Sequence, residues 1–231
     1  MRVLALDTAT PRTAVALRDV DSGANVCMLD EVDLSANDDP PAGATPGHAR
    51  RVLALITELL EQAGGLERVD RIAVGVGPGT FTGLRIGIAT AQALAAASAK
   101  PLVGVSTLAS LQTAALARLP EHRPVLAVID ARRGEAFVAG DGLAPCVVTP
   151  QALVDVAGQR AGDGVVAVGD GALRYRELLE RAGAHVPAQD TPVHRVSART
   201  HCLLAATLEP VPDGRVQPLY LRAPDAEVAR R

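Results

Sequence analysis

Apolar runs and turn signals divide the chain into short strands and longer helices. Residues 3–7 (VLALD) form an apolar run closed by an acid, and residues 13–17 (TAVAL) return after a proline-containing turn. Residues 25–32 predict a third strand after the turn Asp21-Ser22-Gly23, so the start of the chain reads as an antiparallel meander. Residues 33–47 (DLSANDDPPAGATPG) are almost without apolar content and predict a loop. Residues 48–63 predict a helix, with Val52, Leu55, Ile56, Leu59, Leu60 and Ala63 at three- and four-residue spacing and Gly64-Gly65 as its stop. A buried strand at 71–75 then leads through a glycine-rich loop into a helix at 84–98. A strand at 101–105 and a helix at 106–119 follow, with Ser106 or Thr107 as its cap.

The pattern then restarts. Residues 125–130 (VLAVID) are again an apolar run closed by an acid, residues 135–139 (EAFVA) return, and residues 145–148 supply a short third strand. Helices are predicted at 150–157 and 172–182 with a strand at 165–168 between them. A last helix at 198–208 precedes a tail ending PLYLR at 218–222. Asp7 and Asp130 occupy matching places in the two halves. The order βββαβαβα followed by a trimmed βββαβα predicts an α/β fold of two lobes built by internal duplication. That is the actin-like ATPase architecture, ribonuclease H-like, in which a nucleotide sits in the cleft. The predicted lobes are 1–119, carrying partner-binding helices, and a trimmed 120–231.

Composition narrows the chemistry. Hydrophobic residues make up 48% of 231, enough for a core, but aromatics are only 2%, so the core must be Ala, Val and Leu. The formal net charge is −3, and the basic groups (Arg50-Arg51, Arg132-Arg133, Arg230-Arg231) are short, which speaks against a protein that grips nucleic acid alone. Cys27, Cys146 and Cys202 are far apart, with no paired motif and no signal peptide, so a cytoplasmic, reducing location is expected. The most apolar stretch, 86–97, is too short to span a bilayer.

Two stretches are candidates for binding phosphate. Phosphate loops of this architecture read Asp-x-Gly-x-Thr/Ser; here the sequence is Asp7-Thr8-Ala9-Thr10, with alanine where glycine would open the turn. Residues 75–87 (GVGPGTFTGLRIG) hold five glycines before a helix, and Gly77, Gly79 and Thr80 could offer backbone N–H groups and a hydroxyl to an anion. No Lys-Ser/Thr follows and no acid stands at the dinucleotide-binding distance. Asp7, Thr8, Gly77, Gly79 and Thr80 are therefore read as a vestigial phosphate site. The alternative is that Asp7 forms a turn and the threonines cap it locally. The five histidines include no pair at helical spacing, Val52 stands four residues after His48, and no nucleophile elbow is present, so neither a metal nor a catalytic residue is assigned.

The helix after the loop is apolar nearly all round. Gly83, Gly87, Ala91 and Ala95 recur every four residues, a smooth line that admits a close helix. Either this helix is buried within the chain, or it joins the preceding helix, with Leu55 and Leu59, in a subunit interface.

MRVLALDTATPRTAVAL, DRIAVGVGPGTFTGLRIGIATAQALA, PLVGVSTL, DARRGEAF, GDG and PLYLR together resemble the TsaB (YeaZ) family, in order along residues 3–222. The resemblance implies a two-lobed relative of TsaD, the enzyme that moves a threonylcarbamoyl group from its adenylate to N6 of an adenosine beside the tRNA anticodon. TsaD carries two metal-binding histidines in an HxxxH motif; Val52 at the second place departs from it. The resemblance further implies a non-catalytic subunit that pairs with TsaD through N-terminal helices, engages the ATPase TsaE, self-associates when alone, and meets tRNA through the complex rather than a membrane. It implies no cofactor of its own, with ATP or ADP at or near the subunit interface. A self-acting ATP hydrolase, a kinase, an M22 glycoprotease-like enzyme and a self-sufficient regulatory homodimer are the competing readings.

Overall fold

The computed structural model describes residues 1–20, the backbone of 32–33, 47–119 and 123–222. The third strand predicted at 25–32 and the loop at 33–47 fall almost entirely outside the described residues. Two compact units divide the chain: Met1–Thr107 with Ser197–Pro218, and Leu108–Val196 with Leu219–Arg231.

The first unit is a five-stranded mixed sheet. Its strands are β1 (Arg2–Asp7), β2 (Ala14–Asp19), β3 (Val32–Asp33), β4 (Arg71–Gly77) and β5 (Leu102–Ser106), in the order β3-β2-β1-β4-β5. β1 is antiparallel to β2 and parallel to β4, so Leu4 is flanked by Leu17 and Ile72. The two-residue period sends alternate side chains to opposite faces. Leu4, Leu6, Val15, Leu17, Ile72 and Val74 meet α1 (His48–Ala63) and α2 (Phe81–Ser98). The other face is lined by small residues, Val3, Ala5, Ala14, Ala16, Ala73 and Val103. It is covered by Ala198, Cys202 and Ala205 of α7 (Ala198–Thr207). The helix comes close enough to place Cys202 Sγ 3.2 Å from the Val3 carbonyl. An alanine and valine core is thus possible because one helix is brought almost onto the backbone of the sheet.

Several predicted elements hold with shifted ends. α1 stops where expected, with Gly64 left-handed at φ 85. α2 begins at Phe81, before the predicted residue 84, because Gly83 belongs to its first turn.

The second unit repeats the plan in shorter form. α3 (Thr107–Leu116) leads into β6 (Val125–Arg132), β7 (Glu135–Gly140), β8 (Leu143–Val148), α4 (Pro150–Gly158), β9 (Val166–Val168), α5 (Asp170–Arg174) and α6 (Arg176–Arg181). The sheet order is β8-β7-β6-β9, with β9 parallel to β6 as β4 is to β1. The helix predicted at 172–182 is two helices, broken where Tyr175 leaves helical geometry at φ −104 and ψ 21. Leu126, Val128 and Val138 pack on Leu153 and Leu179, and Ala127, Ile129 and Phe137 pack on Leu108 and Leu111.

The division expected at 119/120 differs from these units in two places. Leu108, Leu111 and Ala115 of α3 join the second core, which moves the boundary to 107/108. α7 belongs to the first unit, because its apolar stripe faces the first sheet. No helix among the described residues is long and apolar enough to cross a membrane.

Candidate functional site

The turn after β1 and the loop after β4 are the two predicted phosphate elements, and the fold brings them together. They fill each other. A Cβ added at Gly79 would collide with the backbone of Ala9, one at Gly83 with the carbonyl of Thr8, and one at Gly87 with the Thr8 hydroxyl. Thr80 N–H donates to the Ala9 carbonyl at 2.7 Å, and the Thr8 hydroxyl donates to the Gly83 carbonyl at 2.7 Å. The glycines are needed so that the chain's own residues 8 and 9 can lie against α2.

Asp7 is enclosed from the other side. One carboxylate oxygen accepts the Ala9 N–H at 2.8 Å, and the other accepts the Thr107 hydroxyl at 3.1 Å and lies 3.0 Å from His201 Nε2. His201 Nδ1 faces the Ser197 carbonyl at 3.0 Å, so α7 presents the imidazole to the end of β1. A Cβ at Gly75 would strike the same carboxylate oxygen. Asp7 is 1% exposed, and Thr107 and His201 are 0% exposed. Neither oxygen of this acid is presented to a phosphate or a metal. Thr8 is buried, Gly77 is buried, and Gly79 and Thr80 are half-buried. His201 was not singled out by the sequence: it lies far along the chain from Asp7, and its helix shows no motif.

The line Gly83, Gly87, Ala91 and Ala95, expected as an interface, is also turned inward. All four are buried against the first unit's own sheet, Leu59 is fully buried, and Leu55 is half-buried on the same core. The sequence expectation for these residues is corrected: small residues on α2 let the helix approach β1 and β4. The outer face of α2 carries Phe81, Arg85, Ala89, Ala93 and Ala97, all exposed, with the Arg85 guanidinium 3.8 Å from the centre of the Phe81 ring. On α1, Leu53 is 53% exposed.

His48, at the first place of an HxxxH pattern, is buried, and its Nδ1 lies 2.7 Å from the Thr13 hydroxyl. Val52, at the second place, is in the core. These residues do not fit a two-histidine metal site.

In the second unit the matching acid, Asp130, is handled differently. It precedes a tight turn in which Arg132 (φ 62), Arg133 (φ 53) and Gly134 (φ 79) are all left-handed, with a register shift between Asp130 and Arg132. One Asp130 oxygen accepts the Arg132 N–H at 2.9 Å; the other lies 3.0 Å from Arg174 and 3.4 Å from the Arg132 guanidinium. Asp130 holds the neighbouring Arg174 guanidinium above its ordinary pKa. The Asp130 N–H donates to Asp170 at 3.1 Å, as does that of Gly171 at 2.8 Å. Burial pushes the Asp170 carboxyl up to about 6, and the Asp130 charge adds to it against these hydrogen bonds. The GDG stretch is explained by packing: a Cβ on Gly169 or Gly171 would enter the backbone of β6. Arg222 of the PLYLR tail pairs with Glu135 at the far end of the turn at 2.6 Å.

The profile of the family described as TsaD, tRNA N6-adenosine threonylcarbamoyltransferase, matches residues 40–168, more than half of the chain. The chain belongs to that family. Within it, the chain groups with TsaB (YeaZ). It is 37% identical over 143 residues to the tRNA threonylcarbamoyladenosine biosynthesis protein TsaB of Escherichia coli, an alignment covering 60% of this chain and 54% of that protein. The match thus spans about half of that relative's length. It is 28% identical over 242 residues to TsaB of Haemophilus influenzae, covering 96% and 94%. A Pseudomonas aeruginosa crystal structure described by its similarity to the peptidase YeaZ superposes with a TM-score of 0.72 at 28% identity, covering 96% of this chain and 99% of that one. The two mixed sheets are accordingly those of the YeaZ fold.

Proposed function

We propose that this chain acts in tRNA threonylcarbamoyladenosine biosynthesis as a non-catalytic subunit, pairing with a TsaD-type transferase. The observation that carries the reading is the closure of the first unit's turn. Asp7, Thr107 and His201 are spent on one another in a dry setting, and residues 8 and 9 occupy the space the glycine loop would offer a phosphate. A chain of the transferase family with this acid sealed depends on another subunit for group transfer. The outer face of α2 with Leu53 of α1 supplies the pairing surface, an apolar strip with one guanidinium lying over an aromatic ring. The same strip serves self-association when the transferase is absent. On this reading, ATP or ADP binds at or near the subunit contact, the ATPase TsaE is a further partner, and the compartment is the cytoplasm.

Reconstitution tests this. The purified chain is mixed with the TsaD and TsaE of its own organism, threonylcarbamoyl-adenylate and an unmodified tRNA transcript, and threonine incorporation is counted. Incorporation is expected only when chain and TsaD are both present, and is expected to fall at least tenfold with Ala89→Glu, an exposed position that leaves the core untouched. Incorporation by the chain alone, or full activity of TsaD without it, overturns the reading.

A further inference from the structure

We propose that Asp7 is a hinge clamp: its one carboxylate fixes the chain at two of the places where it passes between the units. The chain leaves the first unit after Thr107 and returns to it at Ser197. The Thr107 hydroxyl donates to Asp7 at 3.1 Å, and His201 Nε2 lies 3.0 Å from the same carboxylate oxygen. The His201 ring reaches back through Nδ1 to the carbonyl of Ser197, the first residue after the return, at 3.0 Å. Both ends of the run that builds the second unit therefore converge, within the first unit, on one oxygen of Asp7.

Neither passage has slack. Leu108, directly after Thr107, is buried in the second unit's core with Leu111. Before Ser197, His194 is buried in the second unit, its Nδ1 3.2 Å from the Gly169 nitrogen and its Nε2 3.1 Å from the Pro187 carbonyl. That leaves the Thr107–Leu108 peptide at one passage, and Arg195 and Val196 at the other, to absorb a rotation. Hinges work by concentrating φ/ψ change in a few such residues. The third passage, at Pro218–Leu219, is tied by a different bond, from the Gln92 amide to the Val216 carbonyl at 3.1 Å. The clamp is firm because it is dry: Asp7 is buried, so water does not compete for its hydrogen bonds. Gly75 leaves the room the carboxylate needs, since a Cβ there would strike it.

The test uses the full chain and reads the spread of distances between the units. Spin labels are attached at Glu61→Cys and Gln159→Cys, both exposed, in a Cys27→Ser, Cys146→Ser background; Cys202 is buried and stays. Thr107→Val removes one arm of the clamp with little change of shape. His201→Asn keeps an amide near the Ser197 carbonyl but does not reach Asp7. His201→Gln, which can place an N–H where Nε2 stands, is the restoring variant. Gln92→Ala releases the third passage and is the control. Double electron–electron resonance is expected to show the distribution broadened about twofold by Thr107→Val and by His201→Asn, with His201→Gln near the parent's width and Gln92→Ala broadened far less. Hydrogen exchange should rise about tenfold at 104–110 in the first variant and at 196–203 in the second, while β6 and β7 keep their protection.

An unchanged distribution in both clamp variants overturns the proposal. So does a lowered melting temperature with exchange rising evenly across both units, the mark of residues that only fill the core. Broadening by Gln92→Ala as large as by the clamp variants overturns it as well, since any lost contact would then loosen the chain. If His201→Asn does not fold, Thr107→Val alone decides, because valine is nearly isosteric with threonine and only the hydroxyl is lost. None of these outcomes bears on the functional reading, which stands or falls on threonine incorporation.

Discussion

At the end of β1 an acid, Asp7, is sealed from water by a threonine, a histidine and a backbone N–H. At the corresponding end of β6, Asp130 sits under two exposed arginines and beside a second carboxyl. The strands leading in are alike in having one antiparallel and one parallel neighbour. What differs is what covers the turn. In the first unit α7 delivers His201 and α2 delivers a line of glycines, so the site is consumed in packing. In the second, the glycines of GDG draw α5 onto the strand while the turn itself stays in solvent. A duplicated fold therefore keeps its acid in both halves for different reasons: one stabilises the interior, and the other shapes a surface.

The sharpest break of this contrast is removal of the sealed acid. Asp7→Ala takes the shared acceptor from the Ala9 N–H, the Thr107 hydroxyl and His201, and each buried polar group so deprived costs about 1–3 kcal/mol. The expected result in a urea titration is a midpoint lowered far more than for Asp130→Ala, whose partners can turn to water. Equal losses at the two positions would erase the distinction. Next in size is Gly83→Val, which drives a side chain into the Thr8 carbonyl. It should destabilise by about 3 kcal/mol, lowering the melting temperature by roughly 6–12 °C. Gly162→Ala, where a Cβ meets open space, should do almost nothing.

The smallest effect is electrostatic and belongs to the second unit. The Asp170 carboxyl is raised from 3.8 to about 6 in the folded chain, so the native state binds more protons than the unfolded one between those values. Its contribution to stability is therefore fully favourable below about 4 and is lost as pH rises through about 6. Asp170→Asn keeps an oxygen for the two N–H donors. It should raise stability above pH 7 by at most about 2–3 kcal/mol relative to the parent, with the gain vanishing near pH 4. His194, held below its ordinary pKa mainly by burial, works in the opposite sense and loses stability as pH falls below about 6.5. The difference between variant and parent melts is thus the quantity to compare. A pH-independent difference would show that Asp170 is an ordinary surface acid.

Much of this was legible along the chain. The apolar runs VLALD and TAVAL, the acid closing each half and the Gly64 stop give the strands, the duplication and the end of α1 because those signals are local. The inward turn of Gly83, Gly87, Ala91 and Ala95 was not legible. A line of small residues reports only that some backbone comes close, and here that backbone is Thr8 of the same chain. His201 was invisible for a related reason: its meaning depends on α7 crossing back to β1, and no local pattern encodes the destination of a helix. The charged turn between residues 130 and 135 was legible, with Gly134 in it, but the left-handed backbone of Arg132 and Arg133 was not, since arginine has no preference for it.

The return of α7 also orders events at the ribosome. The first sheet is translated early, but its alanine face stays bare and Asp7 stays without His201 until residues 197–218 have emerged. The contiguous run 108–196 of the second unit is available before then. The half that is made first thus waits for a late segment before its core can close, and the second unit gains its own late piece only afterwards, with the tail that carries Arg222 to Glu135.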